Sequence, residues 1–206
     1  MARRKNLINQ RNKFYIITNG KETEYNYFTA LKSKKSTYDV SVLFDNADPL
    51  GLVEYAQRFI NESNQVWVVF DVDYTHKDGR LIPALKMAEE TGVKYAFSNL
   101  AFEVWLISHF DKCENKLNVD AHKRLLDKYL SEKKKGLAYE KSDIDLIKKY
   151  FLPFYKTAIN NAKIVHQKRK MAHEKLYGPN SRPEIWKWNS CTTVYKLVEA
   201  LKLSEC

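Results

Sequence analysis

Cysteine is scarce in this chain. Cys113, Cys191 and Cys206 are the only three in 206 residues, odd in number and scattered. They are not in metal-ligand spacing, which argues against a cysteine-built metal centre or a disulfide framework. Long apolar runs are also missing: the longest, such as Val66-Trp67-Val68-Val69-Phe70, fall far short of a membrane span. The basic start Met1-Ala2-Arg3-Arg4-Lys5 is not followed by a secretory-type apolar segment. A reduced, cytoplasmic protein without a membrane part is the expectation. There is no internal repeat and no low-complexity linker, so the length suits one domain or one domain with an appendage.

Acidic residues are in deficit. Lysine and arginine number 35 against 25 aspartates and glutamates, for a formal charge of +10. The surplus is clustered, at Arg3-Arg4-Lys5, Lys133-Lys134-Lys135, Lys148-Lys149 and Lys168-Arg169-Lys170, with Tyr150, Phe151, Phe154 and Tyr155 interleaved. Such a composition suits phosphate contact plus base stacking. A set of solvated, lysine-rich helix faces is the competing reading.

The first half alternates strand and helix signals. Strands are expected at Lys13 to Thr18, Val40 to Phe44, Val66 to Phe70 and Val93 to Phe97. Helical spacing is expected over Glu22 to Ser33, Pro49 to Ile60, Leu81 to Thr91 and Phe102 to Phe110. Alternation at this spacing predicts an α/β fold with a mostly parallel sheet flanked by helices. Beyond about Lys112 the character changes. Leu125 to Leu130, Ile144 to Lys170 and Thr192 to Leu203 read as charged helices with no convincing strand. The expected organisation is an α/β core over residues 1–112 and a helical extension over residues 113–206, packed together.

Three places could carry chemistry. Asp71 and Asp73 stand two apart behind a fully apolar strand, so both carboxylates point the same way at its end. That edge is where open α/β sheets bind ligands, and adjacent carboxylates invite a hard cation such as Mg²⁺. A polar strand end with a turn-forming Asp is the plain alternative. His76 follows in the loop, as a phosphate or metal contact or simply an exposed histidine. In "SNLAFEVWLISHF" (Ser98 to Phe110), Ser98 or Asn99 could cap a helix whose core stripe is Phe102, Trp105, Leu106 and Phe110. Glu103 stands inside that segment, and a buried acid needs a partner; an exposed flank is the alternative. His109 reads as packed or hydrogen-bonded. The third place is Asn19-Gly20, where the first strand meets the first helix. Asn19 and Glu22 fit a capping arrangement that needs no catalysis. A helix start at the carboxyl edge of a sheet also presents N–H groups to anions.

Taken together these residues resemble the RloB-like family, whose N-terminal part is a Rossmann-like Toprim domain. Its motif Glu-Gly-x-x-Thr-Glu-x-x-Tyr-Phe is similar to Asn19-Gly20-Lys21-Glu22-Thr23-Glu24-Tyr25-Asn26-Tyr27-Phe28. Its Asp-x-Asp resembles Asp71-Val72-Asp73. Its Ser-Asn-Pro-x-Phe-Glu-x-Trp-x-x-x-His-Phe resembles Ser98 to Phe110, with Leu100 in place of proline, and its late Asn-Pro-x-Thr-x-Val is similar to Asn189 to Val194. The resemblance implies a nuclease in which Asp71 and Asp73 hold Mg²⁺ or Mn²⁺ for phosphodiester chemistry on RNA, tRNA included, or on DNA. It also implies a role in phage defence and restriction–modification neighbourhoods, with an RloA-like ATPase partner. The basic clusters Lys133, Lys134, Lys135, Lys168, Arg169 and Lys170 would then hold the nucleic-acid backbone, and a homo-oligomer is compatible with the sequence. Asn19 departs from the pattern, which has glutamate there. An amide can ligate Mg²⁺ but brings no charge and takes no proton, so Glu22, Glu24 or Glu103 would have to complete the site. The alternative is a weakened, nucleic-acid-binding descendant.

Overall fold

In a strand buried on both faces, successive side chains must enter two different cores. Phe14 and Ile16 of β1 (Lys13–Thr18) enter one core, while Ile17 enters the other. In β3 (Gln65–Asp71), Trp67 and Val69 join the first core and Val66, Val68 and Phe70 the second. The computed structural model describes residues 12–72 and 76–203. The Arg3-Arg4-Lys5 cluster, Asp73 and Cys206 lie outside the described residues.

The sheet has five strands in the order β2-β1-β3-β4-β5. β2 (Asp39–Phe44), β1, β3 and β4 (Lys94–Asn99) run parallel, and β5 (Cys191–Thr192) is antiparallel to β4. The expected mostly parallel α/β sheet with flanking helices is therefore present. One expectation is corrected: the second half does supply a strand. β5 is only two residues long, paired as Ser98↔Thr192 and Asn99↔Cys191, and such a short run carries no periodicity of its own.

Helices cover both faces. α1 (Thr23–Leu31) packs Tyr27, Phe28, Ala30 and Leu31 into the first core, and α2 (Pro49–Ala56) and α3 (Leu81–Thr91) cover the second. Asp48 caps α2 by accepting the Gly51 N–H at 3.0 Å, with Pro49 preset for the first turn. Gly92 ends α3 with φ 78°, a left-handed geometry that favours glycine. α4 (Glu103–Ser108) follows β4, and α5 (Val119–Lys133), α6 (Ile144–Leu146), α7 (Tyr155–Tyr177) and α8 (Val194–Ala200) come from the second half. Leu126, Leu130, Phe151, Ala158, Ala162 and Leu197 share a core with Phe14, Phe28 and Trp105, so side chains on both sides of position 112 build one hydrophobic cluster. Among the described residues no helix is long and apolar enough to cross a membrane.

This wiring positions one corner. β1 is followed by α1 and β2 on one side, and the chain then returns past β1 to form β3 on the other. The crevice outside the carboxyl ends of β1 and β3 is the switch point at which such sheets bind ligands. By strand alternation, Asp71 at the end of β3 falls on the face of Trp67 and Val69, beneath α1 and α4.

Candidate functional site

Asn19 still behaves as part of β1, donating its N–H to the Val69 C=O at 3.3 Å. The proposed Asn19–Glu22 capping box does not form. α1 begins at Thr23 with exposed Glu22 in the cap position and no side-chain cap bond, and Asn19 Oδ1 is buried without a partner among the described residues. Holding Asn19 on the strand puts it a residue too far back to cap. Gly20 matters for another reason: the Glu24 carboxylate lies directly over it, so close that a Cβ at position 20 would collide with it.

Glu24, in the first turn of α1, is buried at 6% exposure, and Glu103, the first residue of α4, at 3%. Glu103 Oε1 accepts a hydrogen bond from Tyr139 Oη at 3.2 Å and sits 3.2 Å from the Lys141 ammonium. Tyr139 Oη also lies 3.3 Å from Thr23 Oγ1, which links α1 to the same network. Burial opposes the charge on Lys141, but Glu103, then Glu24 and Asp71, more than offset it and its pKa is raised. One ammonium thus balances three acids from three different elements.

The balance is incomplete. Burial, opposed by a backbone hydrogen bond and reinforced by neighbouring Glu103, pushes the Glu24 carboxyl up to about 7. Two buried carboxylates facing one half-exposed lysine leave negative charge unpaired, and a proton or a cation relieves it. His122 of α5 is fully buried with both ring nitrogens unpartnered among the described residues, and burial lowers its pKa against the pull of Glu103. The described donors Asp71, Glu24, Glu103 and the Asn19 amide are all oxygens, the set a hard divalent cation prefers. Asn19 Oδ1, buried without a hydrogen-bond donor, is an oxygen such an ion would satisfy. Among the described residues no three acids, histidines or cysteines already stand in a finished metal-binding group. In chemistry, then, the residues fit a hard cation, and Lys141 supplies positive charge beside Glu103.

Comparison with known proteins follows this geometry. A family model described as RloB-like protein matches residues 14–201. The chain belongs to the RloB-like family. No curated protein and no solved structure matches it.

Elsewhere in this RloB-like chain the singled-out residues have different surroundings. Ser98 and Asn99 do not cap α4, whose cap position is Phe102. They stitch β4 to the second half, Ser98 Oγ to Thr192 Oγ1 at 3.0 Å and Asn99 Nδ2 to the Ile185 C=O at 2.8 Å. His109 is packed, with Nε2 3.0 Å from Tyr27 Oη and Nδ1 near the C=O groups of Trp105 and Leu106, and burial holds its pKa down to about 4. The ring of His76 stacks on Trp186 at 6.1 Å. Lys133 lies over the Phe154 ring at 5.2 Å, and Lys134 and Lys135 are exposed. Lys168 pairs with Glu114 at 2.7 Å, and Arg169 donates to the C=O groups of Glu114 and Asn189, so these cations of the cluster bind this chain itself. Lys170 lies 3.6 Å from Glu174.

Sequence reasoning missed Tyr139, Lys141 and His122. A tyrosine and a lysine in a charged loop carry no local mark; only Glu103, an acid in an apolar segment, announced that something must come to meet it.

Proposed function

We propose that this chain is a metal-dependent nuclease of the Toprim type, acting on RNA, tRNA included, or on DNA. The carrying observation is the ion pair of Glu103 with Lys141 at 3.2 Å, with Glu24 and Asp71 acting electrostatically on the same ammonium, at the switch point of the sheet. Asp71, with Asp73 beside it in sequence, would hold Mg²⁺ or Mn²⁺, joined by Glu24 or Glu103 and the Asn19 amide oxygen. Once bound, the ion would polarise a phosphodiester and stabilise developing negative charge.

The chain's own groups divide the remaining work. Glu24, with its carboxyl pushed up to about 7, is poised to hold or release a proton near neutral pH, as a general base must. It thereby offers the acid function that Asn19 cannot. Tyr139 holds Glu103 in place, and Lys141 offers a cation to a phosphate oxygen arriving at the corner. The exposed Lys134 and Lys135 suit backbone contact with nucleic acid. Membership of the RloB-like family supports a proposed role in phage defence beside an RloA-like ATPase.

A second reading is favoured by one observation: the Lys141 ammonium already neutralises Glu103. In that reading the corner has lost its cation and serves nucleic-acid binding. Cleavage of tRNA, other RNA and DNA with Mg²⁺ or Mn²⁺ separates the two. The nuclease reading expects cleavage by the wild type that Asp71→Ala abolishes. Failure to cleave any of these substrates, with or without the partner ATPase, overturns it. Activity appearing only in Asn19→Glu would establish the degenerate site.

A further inference from the structure

A second hollow lies along the outer edge of β4, with a volume near 720 Å³. It exists because β5 is short. Backbone groups alternate along a strand, so every second residue of β4 points its N–H and C=O away from β3. Ser98 C=O turns toward β3, accepting the Val72 N–H at 2.9 Å, so Tyr95, Phe97 and Asn99 turn outward. Asn99 pairs with β5, and Phe97 exchanges bonds with Thr193: its N–H to Thr193 Oγ1 at 3.0 Å, and its C=O from the Thr193 N–H at 2.9 Å. Among the described residues Tyr95 has no strand opposite it, and the residues across the gap belong to α7, α8 and the 179–188 segment.

Those residues make the hollow cationic. Lys170 of α7 and Lys196 of α8 line it together with His166. Arg182 is matched by Glu89 at 2.8 Å and Lys170 by Glu174 at 3.6 Å, but Lys196 has no carboxylate partner among the described residues. His166 engages Tyr195 Oη through Nδ1 at 2.9 Å, leaving Nε2 without a protein partner among the described residues. The local field is positive: burial and then Lys196 and Lys170 hold His166 down to about 4, and burial and then Lys170 lower Lys196. Trp67, Tyr95 and Trp188 add aromatic surface to the wall.

We propose that this cavity is a nucleotide site, in which Lys170, Lys196 and His166 Nε2 take the phosphate and the aromatic wall with the open Tyr95 edge takes the base. Lys196, without a matching acid among the described residues and set beside Lys170, favours an anion in the hollow, and cavities of about 300–1,000 Å³ hold compact organic ligands. Inorganic phosphate would leave most of the space empty. The site lies along β4 away from the acidic corner and stands independently of the nuclease reading.

The test uses the intact chain in EDTA, so that no divalent cation is held at the acidic corner. A fluorescent N-methylanthraniloyl ATP is titrated, then displaced by AMP, ADP, ATP, adenosine or inorganic phosphate. Saturable binding displaced by nucleotides is expected, with adenosine and inorganic phosphate each far weaker. Loss of two charge-assisted hydrogen bonds in Lys170→Ala/Lys196→Ala should weaken binding by at least about tenfold. The Lys170 side chain is 57% exposed and Lys196 is exposed, so near-UV circular dichroism should be unchanged in that variant. Asp71→Ala should bind as the wild type does. No saturable binding at millimolar nucleotide, equal binding by the double variant, or equal displacement by adenosine or by inorganic phosphate would each overturn the proposal.

Discussion

The acidic corner and the β4 cavity are built from the same strands with opposite charge arithmetic. At the corner, acids from α1, β3 and α4 outnumber the single lysine that meets them. In the cavity, Lys196 stands without an acid and Lys170 leans on a glutamate 3.6 Å away. Each hollow is short of the charge that the other has in excess. Buried acids such as Glu24 and Glu103 are costly, and a fold keeps them where something else supplies the opposite sign. On the proposed readings a cation belongs at one place and an anion at the other, and the contrast can be broken at either end.

The largest expected effect is on cleavage. Metal polarisation contributes several kcal/mol to such reactions, so Asp71→Ala should lower the rate by roughly 10³-fold or more, measured by gel assay of the cut substrate. A loss of only a few-fold would detach the corner from the chemistry.

The next effect is on stability against pH. The folded-state pKa of Glu24 is raised from 4.5 to about 7. Its contribution is therefore complete below pH 4.5 and lost as pH rises through 7, by an amount on the order of 3 kcal/mol. In urea titrations the wild type should weaken across that window, and Glu24→Gln should remove most of the slope. Millimolar Mn²⁺ should restore wild-type stability at pH 8 and do little at pH 5.

A smaller loss follows from removing the lysine. Lys141→Met leaves Glu103 with Tyr139 alone, but the Lys141 side chain is 54% exposed, so solvent screens part of the pairing. About 1–2 kcal/mol should be lost at pH 8, shrinking toward pH 5 as Glu24 takes up its proton. Equal loss at both pH values would mean that Lys141 acts by packing. Smallest in stability but pointed in function is Gly20→Ala. Its Cβ must displace the Glu24 carboxylate, so cleavage should fall by about tenfold or more while the urea midpoint moves little.

Much of this was legible in the sequence. β1 falls on Lys13–Thr18 as its apolar run indicates, and the five apolar residues from Val66 to Phe70 lie within β3. The parts that were not legible depend on distant chain. β5 is two residues that become a strand only because Ser98 and Asn99 lie opposite. The capping pattern at Asn19 was real as a pattern, but a bond to Val69 across the sheet decided the backbone instead. Asp71 and Glu103 could be picked out as chemistry, since an acid after or within an apolar run is anomalous. Lys141 and Tyr139 could not, because they reach Glu103 from 38 and 36 residues away with no local mark.

The account stands most directly on whether the corner takes a divalent cation, which can be measured without knowing the substrate. Mn²⁺ binding followed by electron paramagnetic resonance should show an ion held by the wild type, released as pH falls below 7, and lost in Asp71→Ala with the fold intact. Mn²⁺ that stays free at neutral pH, or binds the Asp71→Ala variant as well as the wild type, would contradict it.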